Sequence, residues 1–197
     1  MSRDVGAAKE ILARGQAVAR AAGARDDGVN NERGTRMQAL YDLAETVGAK
    51  LKDAKQTVAV AESSSGGLVS AALLSVGGAS AYYLGGGVVY TGKARMVLMD
   101  LPREAVAGMR SASEPYAMLL ARTVRERFGA TWGVSETGAA GPTGNGYGDA
   151  SGHTCIAISG PIEMAMTIET ASDDRKANME AFAAAVLRML ERSLSEG

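Results

Sequence analysis

Three polar, glycine-bearing segments follow predicted strands and carry side chains that could do chemistry: "ESSSGG" at 62–67, "YTGKAR" at 90–95 and "ETGAAGPTGNGYG" at 136–148. In open α/β sheets, ligands bind beyond the carboxyl ends of the strands, where loops and helix N-termini expose free backbone N–H groups. Hydroxyl and basic side chains in such a place can bind an anion or activate a nucleophile. The three segments therefore predict a small-molecule site at one edge of a sheet.

The first segment opens a predicted helix, and its serines allow two interpretations. Ser63, Ser64 and Ser65 could bind an anion at the helix N-terminus, with Gly66 and Gly67 permitting close approach. They could also do no more than cap the helix, and the pattern alone favours this reading because serine is a common N-cap residue. Both interpretations stay open at this point.

The second segment places Tyr90 at the end of a predicted strand, with Lys93 and Arg95 in the turn that follows and Ser80 just before the strand. A serine near a basic group could be an activated nucleophile. Spacing alone favours a helix-capping Ser80 with solvated basic side chains.

The third segment is a glycine-rich loop that runs to Gly152. It matches neither the dinucleotide fingerprint nor the phosphate loop with its GK[ST] ending. A turn-rich connection and a phosphate cradle fit this composition equally well.

Hydrophobic periodicity predicts the elements that must position these segments. The predicted strands are "QTVAVAES", Leu84 to Tyr90, "TWGVSET", and a hairpin of "HTCIAIS" and "IEMAMTIET". The predicted helices cover 36–53, "GGLVSAALLSV", about 93–99, a segment capped by Ser111 or Ser113 that ends before Gly129, and about 174–194. Alternating strands and helices with a late hairpin predict a three-layer α/β/α sandwich with a mixed, mostly parallel central sheet.

Residues 1–35 are rich in Ala, Gly, Arg and Asp, and "GARDDGVNNERG" is typical of a flexible linker. We therefore expect a flexible N-terminal extension followed by one domain over residues 36–197. This extension shows no long apolar run, so the sequence predicts neither a signal peptide nor a membrane span, and we expect a cytoplasmic protein.

Charge and cysteine content exclude several classes of function. The chain has 21 Lys and Arg against 22 Asp and Glu, so no strong overall field attracts nucleic acid or a membrane. The single cysteine, Cys155, and the single histidine, His153, can form neither an internal disulfide nor a usual structural zinc site. Both lie on one predicted strand, two residues apart, so we expect them on one face and neither to be catalytic.

The order and spacing of several motifs resemble the C-terminal domain of the CinA family, whose active members are nicotinamide-nucleotide amidases. The motifs are "VAVAESSSGGLVSAALLSVGGASAYYLGGGVVYTGKAR", "ASEPYAMLLARTVRERFGATWGVSETGAAGPTG" and "GHTCIAI", and the resemblance covers about residues 36–194. In that family the corresponding motifs usually read AESCTGG, GAS followed by GVVTYSNEAK, and TGIAGPGG.

The resemblance implies a role for each candidate residue. Ser80, in the GAS position, would be the nucleophile that attacks a carboxamide, and Tyr90 would assist it. The two basic residues near this pair, Lys93 and Arg95, are the remaining catalytic candidates. The implied substrate-binding residues are Ser63, Ser64, Gly66, Gly67, Thr137, Gly138, Gly141, Gly144 and Arg175.

The sequence departs from the family pattern at two basic positions. Arg95 stands where the family has its catalytic lysine, and Lys93 lies two residues earlier, roughly on the opposite side of a helix. An arginine stays protonated in proteins and cannot accept the proton of a serine. The second arginine of the family's later basic segment is also missing, since Asn178 and Met179 occupy that region.

These observations predict an amidohydrolase that acts on nicotinamide mononucleotide with a serine nucleophile and needs no metal or redox cofactor. The alternative is a catalytically impaired nucleotide-binding or protein-interaction module, because of Arg95. We expect Ser80, Tyr90 and Thr137 to converge in one cleft. We also expect a small-molecule nucleotide as partner, no nucleic acid or membrane, and a homo-oligomer.

Overall fold

A mixed five-stranded sheet forms the centre of the computed structural model, which describes residues 28–196. Its strands, β1 to β5 along the chain, are Val58–Glu62, Tyr83–Val88, Trp132–Ala139, His153–Ser159 and Glu163–Glu169. They lie in the order β2-β1-β3-β4-β5, with β1 parallel to both β2 and β3. β4 is antiparallel to β3, and β5 to β4. The parallel core with its late antiparallel hairpin confirms the predicted mixed sheet.

Helices in the described part of the chain cover both faces of this sheet. We number them α1 to α5: Gly28–Asp53, Leu68–Ser75, Gly92–Met99, Glu114–Phe128 and Arg175–Glu196. Helices α1, α2 and α5 pack on the face that carries Val58 and Val60, and α3 and α4 pack on the face that carries Ala59 and Ala61. Every residue of β1 is buried, as its continuous apolar run indicates. The three-layer α/β/α sandwich is confirmed.

Helix α1 begins at Gly28, eight residues before the expected start of the domain. Its early residues Glu32, Gly34, Thr35 and Arg36 are exposed. These four residues add no apolar position to the helical period, which is why the sequence pattern missed this part of the helix. The rest of the expected flexible extension, residues 1–27, lies outside the described residues. None of the described helices is long and apolar enough to cross a membrane.

Because β1, β2 and β3 are parallel, their last residues Glu62, Val88 and Ala139 lie at one edge of the sheet, which we call the carboxyl edge. Strand β4 starts at the same edge, since His153 pairs with Ala139. The loops that leave β1, β2 and β3 therefore meet there. The opposite edge, where these three strands begin, is the amino edge.

Candidate active site

The turn after β1 is built on the carboxylate of Glu62, which is fully buried. It accepts hydrogen bonds from the backbone N–H groups of Gly67, Val69 and Ser70 at 2.9, 3.1 and 3.0 Å. The hydroxyl groups of Ser65 and Ser70 donate to it at 2.8 and 2.6 Å. The positive N-terminus of α2 is thus occupied by a protein carboxylate, and it has no free donors for a ligand.

A second buried carboxylate, Glu136 on β3, holds the same turn from the other side. It accepts from the N–H groups of Ser63 and Ser65 at 3.1 and 2.8 Å and from the hydroxyl of Ser64. The hydroxyl of Thr154 on β4 donates to it at 2.8 Å. Sequence reasoning missed this role, although an acid in the middle of a buried strand is its signal.

These contacts correct the anion-binding interpretation of "ESSSGG". Ser64 is buried and donates its hydroxyl to Glu136. Gly66 and Gly67 have φ of 69° and 101°, where glycine is favoured, and a Cβ on Gly66 would lie 2.7 Å from the Met179 methyl group. The two glycines therefore serve the turn and its packing against α5.

Ser63 is different from the other serines of the turn. Its side chain is partly exposed, and its hydroxyl makes no hydrogen bond to any residue that the structure describes. The hydroxyl faces a cavity of about 370 Å³, which we call the inner pocket. Ser63 is thus the hydroxyl of this motif that is available for chemistry.

The inner pocket brings together side chains from all three parallel strands at the carboxyl edge. Ser63 follows β1, Tyr90 follows β2, and Thr137 lies near the end of β3. Arg95 of α3 and Gly138 complete this part of the wall. The structure therefore places five sequence-predicted site residues around one cavity.

Ser80 is not among them. It is exposed in a short 3-10 turn, Ala79–Ala81, that precedes β2 at the amino edge, where the Val58 N–H bonds to the Tyr82 carbonyl. The six residues of β2 rise about 3.3 Å each, so roughly 20 Å separates the two edges of the sheet. The expected convergence of Ser80 with Tyr90 and Thr137 is wrong, because an extended strand runs between them.

The two basic residues of the "YTGKAR" segment differ in the cavities that they line. Arg95 lines the inner pocket, and its Nε donates to the Leu101 carbonyl at 3.0 Å. Its two terminal nitrogens make no hydrogen bond to a described residue. Lys93 lines a neighbouring outer cavity and not the inner pocket, which corrects its place among the catalytic candidates.

Arg175, at the start of α5, braces the site. Its terminal nitrogens donate to the Tyr90 hydroxyl at 3.2 Å and to the Gly141 carbonyl at 2.6 Å. These contacts lie beside a cavity of about 250 Å³ whose wall includes Gly138, Gly141 and Gly144. Because both terminal nitrogens are bonded to the protein, Arg175 holds Tyr90 and the loop together, and this bracing limits the substrate-binding role that the sequence predicted.

Polar side chains anchor the glycine-rich loop. Asn178 is buried and donates to the carbonyl groups of Ala140 and Ser172, both at 2.8 Å, so a neutral amide anchors the loop. Asp149 accepts from Asn145 at 2.7 Å and from Arg110 at 2.6 Å. Burial opposes the charge of Asp149, but these hydrogen bonds and the nearby cations hold its pKa below the ordinary value.

His153 is buried beneath this loop at the start of β4. Its Nδ1 lies 2.5 Å from the Glu169 carboxylate and its Nε2 lies 3.0 Å from the Ala112 carbonyl. Burial alone lowers the pKa of His153, but these hydrogen bonds and the charges of Asp149 and Glu169 outweigh it and raise the pKa above its ordinary value. Both ring nitrogens face acceptors, so a protonated ring can donate to both of them.

Cys155 lies on the same face as His153, as expected, with its Sγ 3.7 Å from Nε2. Burial raises the pKa of the Cys155 thiol, which disfavours the reactive thiolate. Neither side chain lines the inner pocket. Among residues 28–196, no group of three or more His, Cys, Asp and Glu side chains could hold a metal ion.

The family model of the CinA C-terminal domain matches residues 40–194. The chain belongs to this family. A CinA-like protein of Cytophaga hutchinsonii is 37% identical over 154 residues, which are 78% of this chain and 37% of that protein. A CinA-like protein of Salinibacter ruber is 36% identical over 153 residues, with the same coverage of 78% and 37%. The chain thus spans 37% of the length of these CinA relatives.

Solved CinA structures share the fold. The competence-damaged protein (CinA) superfamily protein of Klebsiella pneumoniae aligns with a TM-score of 0.75 at 21% identity, over 80% of this chain and 99% of that chain. The corresponding protein of Enterobacter cloacae aligns with a TM-score of 0.73 at 26% identity, over 79% and 92% of the two chains. These likenesses confirm the fold that the motifs implied.

We predict that the two buried carboxylates differ in their tolerance of an amide. Both oxygens of Glu62 accept from backbone N–H groups, so Glu62→Gln must place an NH₂ against a backbone donor. We expect it to lower the free energy of unfolding by about 1–3 kcal/mol. Glu136→Gln should cost less, because its amide can donate to the rotatable hydroxyls of Ser64 and Thr154. Urea unfolding of both variants measures the difference, and an equal or reversed cost would contradict this account.

We also predict that His153 makes stability depend on pH. A histidine whose pKa is raised in the folded state contributes its full stabilisation of the fold below its unfolded pKa of about 6.5. This contribution is lost as the pH rises through the folded pKa. His153 is the single histidine of the chain, so NMR titration gives its pKa directly. Urea unfolding should show wild type losing stability above about pH 6.5 relative to His153→Gln. A folded pKa at or below 6.5 would overturn the assignment.

Proposed function

We propose that this CinA domain is an amidohydrolase that converts nicotinamide mononucleotide and water into nicotinate mononucleotide and ammonia. The observation that carries the proposal is the unpaired hydroxyl of Ser63 in a pocket shared with Tyr90, Thr137 and Arg95. Family membership supports the reaction class, since the motifs resemble those of nicotinamide-nucleotide amidases. The proposal needs neither a metal ion nor a redox cofactor.

Ser63 takes the role of nucleophile that the motifs had assigned to Ser80. Its Oγ attacks the carboxamide carbon, the C–N bond breaks, and ammonia leaves with the proton that Ser63 gave up. Water then cleaves the acyl ester and restores the serine. The backbone N–H of Ser64, which is bonded to no described residue, lies next to Ser63 and can stabilise the oxyanion.

Tyr90 is the group of the inner pocket best suited to move the serine proton. Arg95 and Arg175 stay protonated and cannot accept it. The guanidinium of Arg175 donates to the Tyr90 oxygen at 3.2 Å and holds it at the pocket wall. Thr137 accepts from the Ala112 N–H at 3.4 Å, so its own proton is free to bind the substrate.

Arg95 is the group that meets the phosphate of the nucleotide. Of the two arginines near Tyr90, Arg175 has both terminal nitrogens bonded to the protein, whereas Arg95 keeps both for a ligand. A planar guanidinium with two parallel donors matches two phosphate oxygens. This places the reacting carboxamide at Ser63 and the phosphate toward α3.

A second candidate function is a nucleotide-binding module that does not turn over its ligand. Arg95 favours it, since this residue stands in place of the family lysine and its Nε is held by the Leu101 carbonyl. The two functions differ in a direct measurement. Calorimetric binding of nicotinamide mononucleotide without ammonia release would support the binding module.

The two serines provide a matched test of the nucleophile. We expect Ser63→Ala to lower ammonia release from nicotinamide mononucleotide at least about 10³-fold, as loss of a serine nucleophile does in other hydrolases. Ser80→Ala removes the same hydroxyl at the exposed amino edge and should leave turnover within about twofold of wild type. Loss of activity in Ser80→Ala with activity retained in Ser63→Ala would reverse the assignment.

Arg95→Lys tests the departure from the family pattern. A lysine can lose its proton near the pocket and assist proton transfer, which typically contributes about 10²- to 10⁴-fold. We therefore expect turnover of nicotinamide mononucleotide to rise at least about tenfold, or roughly 1.4 kcal/mol of barrier. Arg192→Lys on α5, an exposed residue paired with Glu196, is the control. No rise in Arg95→Lys would show that Tyr90 moves the serine proton without assistance from residue 95.

A further inference from the structure

An outer cavity of about 860 Å³ adjoins the inner pocket. It lies between α3 and the segment that follows it, and Arg95 and Tyr147 line both spaces. The inner pocket, at about 370 Å³, is near the small end of ligand sites, which span roughly 300–1,000 Å³. The outer cavity is large enough to take a further part of a ligand whose reacting end lies at Ser63.

Positive charge dominates the wall of the outer cavity. Lys93, Arg95 and Arg103 line it against the single carboxylate of Glu104. The side chains of Lys93 and Arg103 make no hydrogen bond or ion pair with any described residue. Three arginines elsewhere are paired with carboxylates: Arg110 with Asp149, Arg122 with Glu163 and Arg192 with Glu196. An uncompensated set of cations in a concave site favours an anionic ligand.

Apolar side chains stand beside these cations. Met96, Met109 and Tyr147 line the outer cavity and are 50%, 43% and 55% exposed. An aromatic ring and polarizable thioethers suit the flat face of a nucleobase. A nucleotide requires cations that bind its phosphate and, next to them, an apolar surface that binds its base.

Arg95 joins the two spaces. Its Nε is fixed on the Leu101 carbonyl, and its unbonded terminal nitrogens lie on the boundary between the inner pocket and the outer cavity. A guanidinium presents a fork of parallel donors that matches phosphate oxygens, which the single ammonium of a lysine does not. Arginine at this position is therefore suited to a ligand whose phosphate groups cross from one space to the other.

We propose that the outer cavity is a second nucleotide subsite, and that the substrate is a pyridine dinucleotide. Its carboxamide-bearing half lies in the inner pocket, its diphosphate crosses Arg95, and its second nucleoside lies against Tyr147 and the methionines. The inference rests on the proposed amidohydrolase function for the chemistry, which is unchanged: the carboxamide is hydrolysed to the acid and ammonia, and the diphosphate stays intact. Binding of the second nucleoside does not depend on hydrolysis.

The test compares nicotinamide adenine dinucleotide with nicotinamide mononucleotide. Calorimetry on the Ser63→Ala protein measures binding, and ammonia release by wild type measures kcat/KM. We expect the dinucleotide to bind at least about tenfold more tightly than the mononucleotide, a difference of roughly 1.4 kcal/mol. Arg103→Gln should weaken the dinucleotide at least about tenfold more than the mononucleotide, and Lys93→Gln should act in the same direction. Arg192→Gln, with the same loss of charge on the opposite face of the sheet, is the control.

Each outcome below bears on both the subsite and the amidohydrolase. Tighter, Arg103-dependent binding of the dinucleotide without ammonia release supports the subsite and overturns the amidohydrolase. Ammonia release from the mononucleotide, with a dinucleotide that binds no better or is indifferent to Arg103→Gln, supports the amidohydrolase and overturns the subsite. Absence of binding by either nucleotide overturns both.

Discussion

Two buried carboxylates that share one turn are the constraint on which the site depends. Glu62 and Glu136 are both fully buried, and desolvation of a carboxylate is costly unless hydrogen bonds replace its water. Here backbone N–H groups and hydroxyls of residues 63–70, with Thr154 from β4, supply these bonds. The turn is therefore held to both β1 and β3. Its geometry cannot change without leaving a buried charge unpaired.

This arrangement also leaves one hydroxyl of the turn without a partner in the described part of the chain. A run of three serines looks equivalent in the chain, but the carboxylates take the hydroxyls of Ser64 and Ser65. Of this run, only the Ser63 hydroxyl has no partner among the described residues, and Ser63 lines the inner pocket. The Ser63 N–H donates to Glu136. A nucleophile on a fixed backbone next to a free N–H is preorganised for attack on a carbonyl carbon. The structural network and the proposed chemistry are thus one feature.

The two arginines near Tyr90 have different roles: one is bonded to the protein, and the other faces the space for a ligand. Arg175 links Tyr90 to the Gly141 carbonyl, and Asn178 anchors the same loop without charge. Arg95 keeps its terminal nitrogens free between the inner pocket and the outer cavity. The change from lysine to arginine exchanges a group that can release a proton for one that can grip phosphate oxygens. On the proposed function, this single difference would change both the proton transfer and the phosphate contact at the site.

The sequence by itself determined the elements and the family, because apolar periodicity, turn residues and motif order are local properties of the chain. It placed β4 on the residues that form it and predicted that Lys93 and Arg95 would diverge, since helix geometry follows from spacing alone. Only the tertiary structure decided which hydroxyl lies at the inner pocket. Ser80 and Tyr90 are close in sequence, but β2 carries the chain across the sheet between them. Ser63 and Glu136 are distant in sequence, and only the parallel pairing of β1 with β3 joins them.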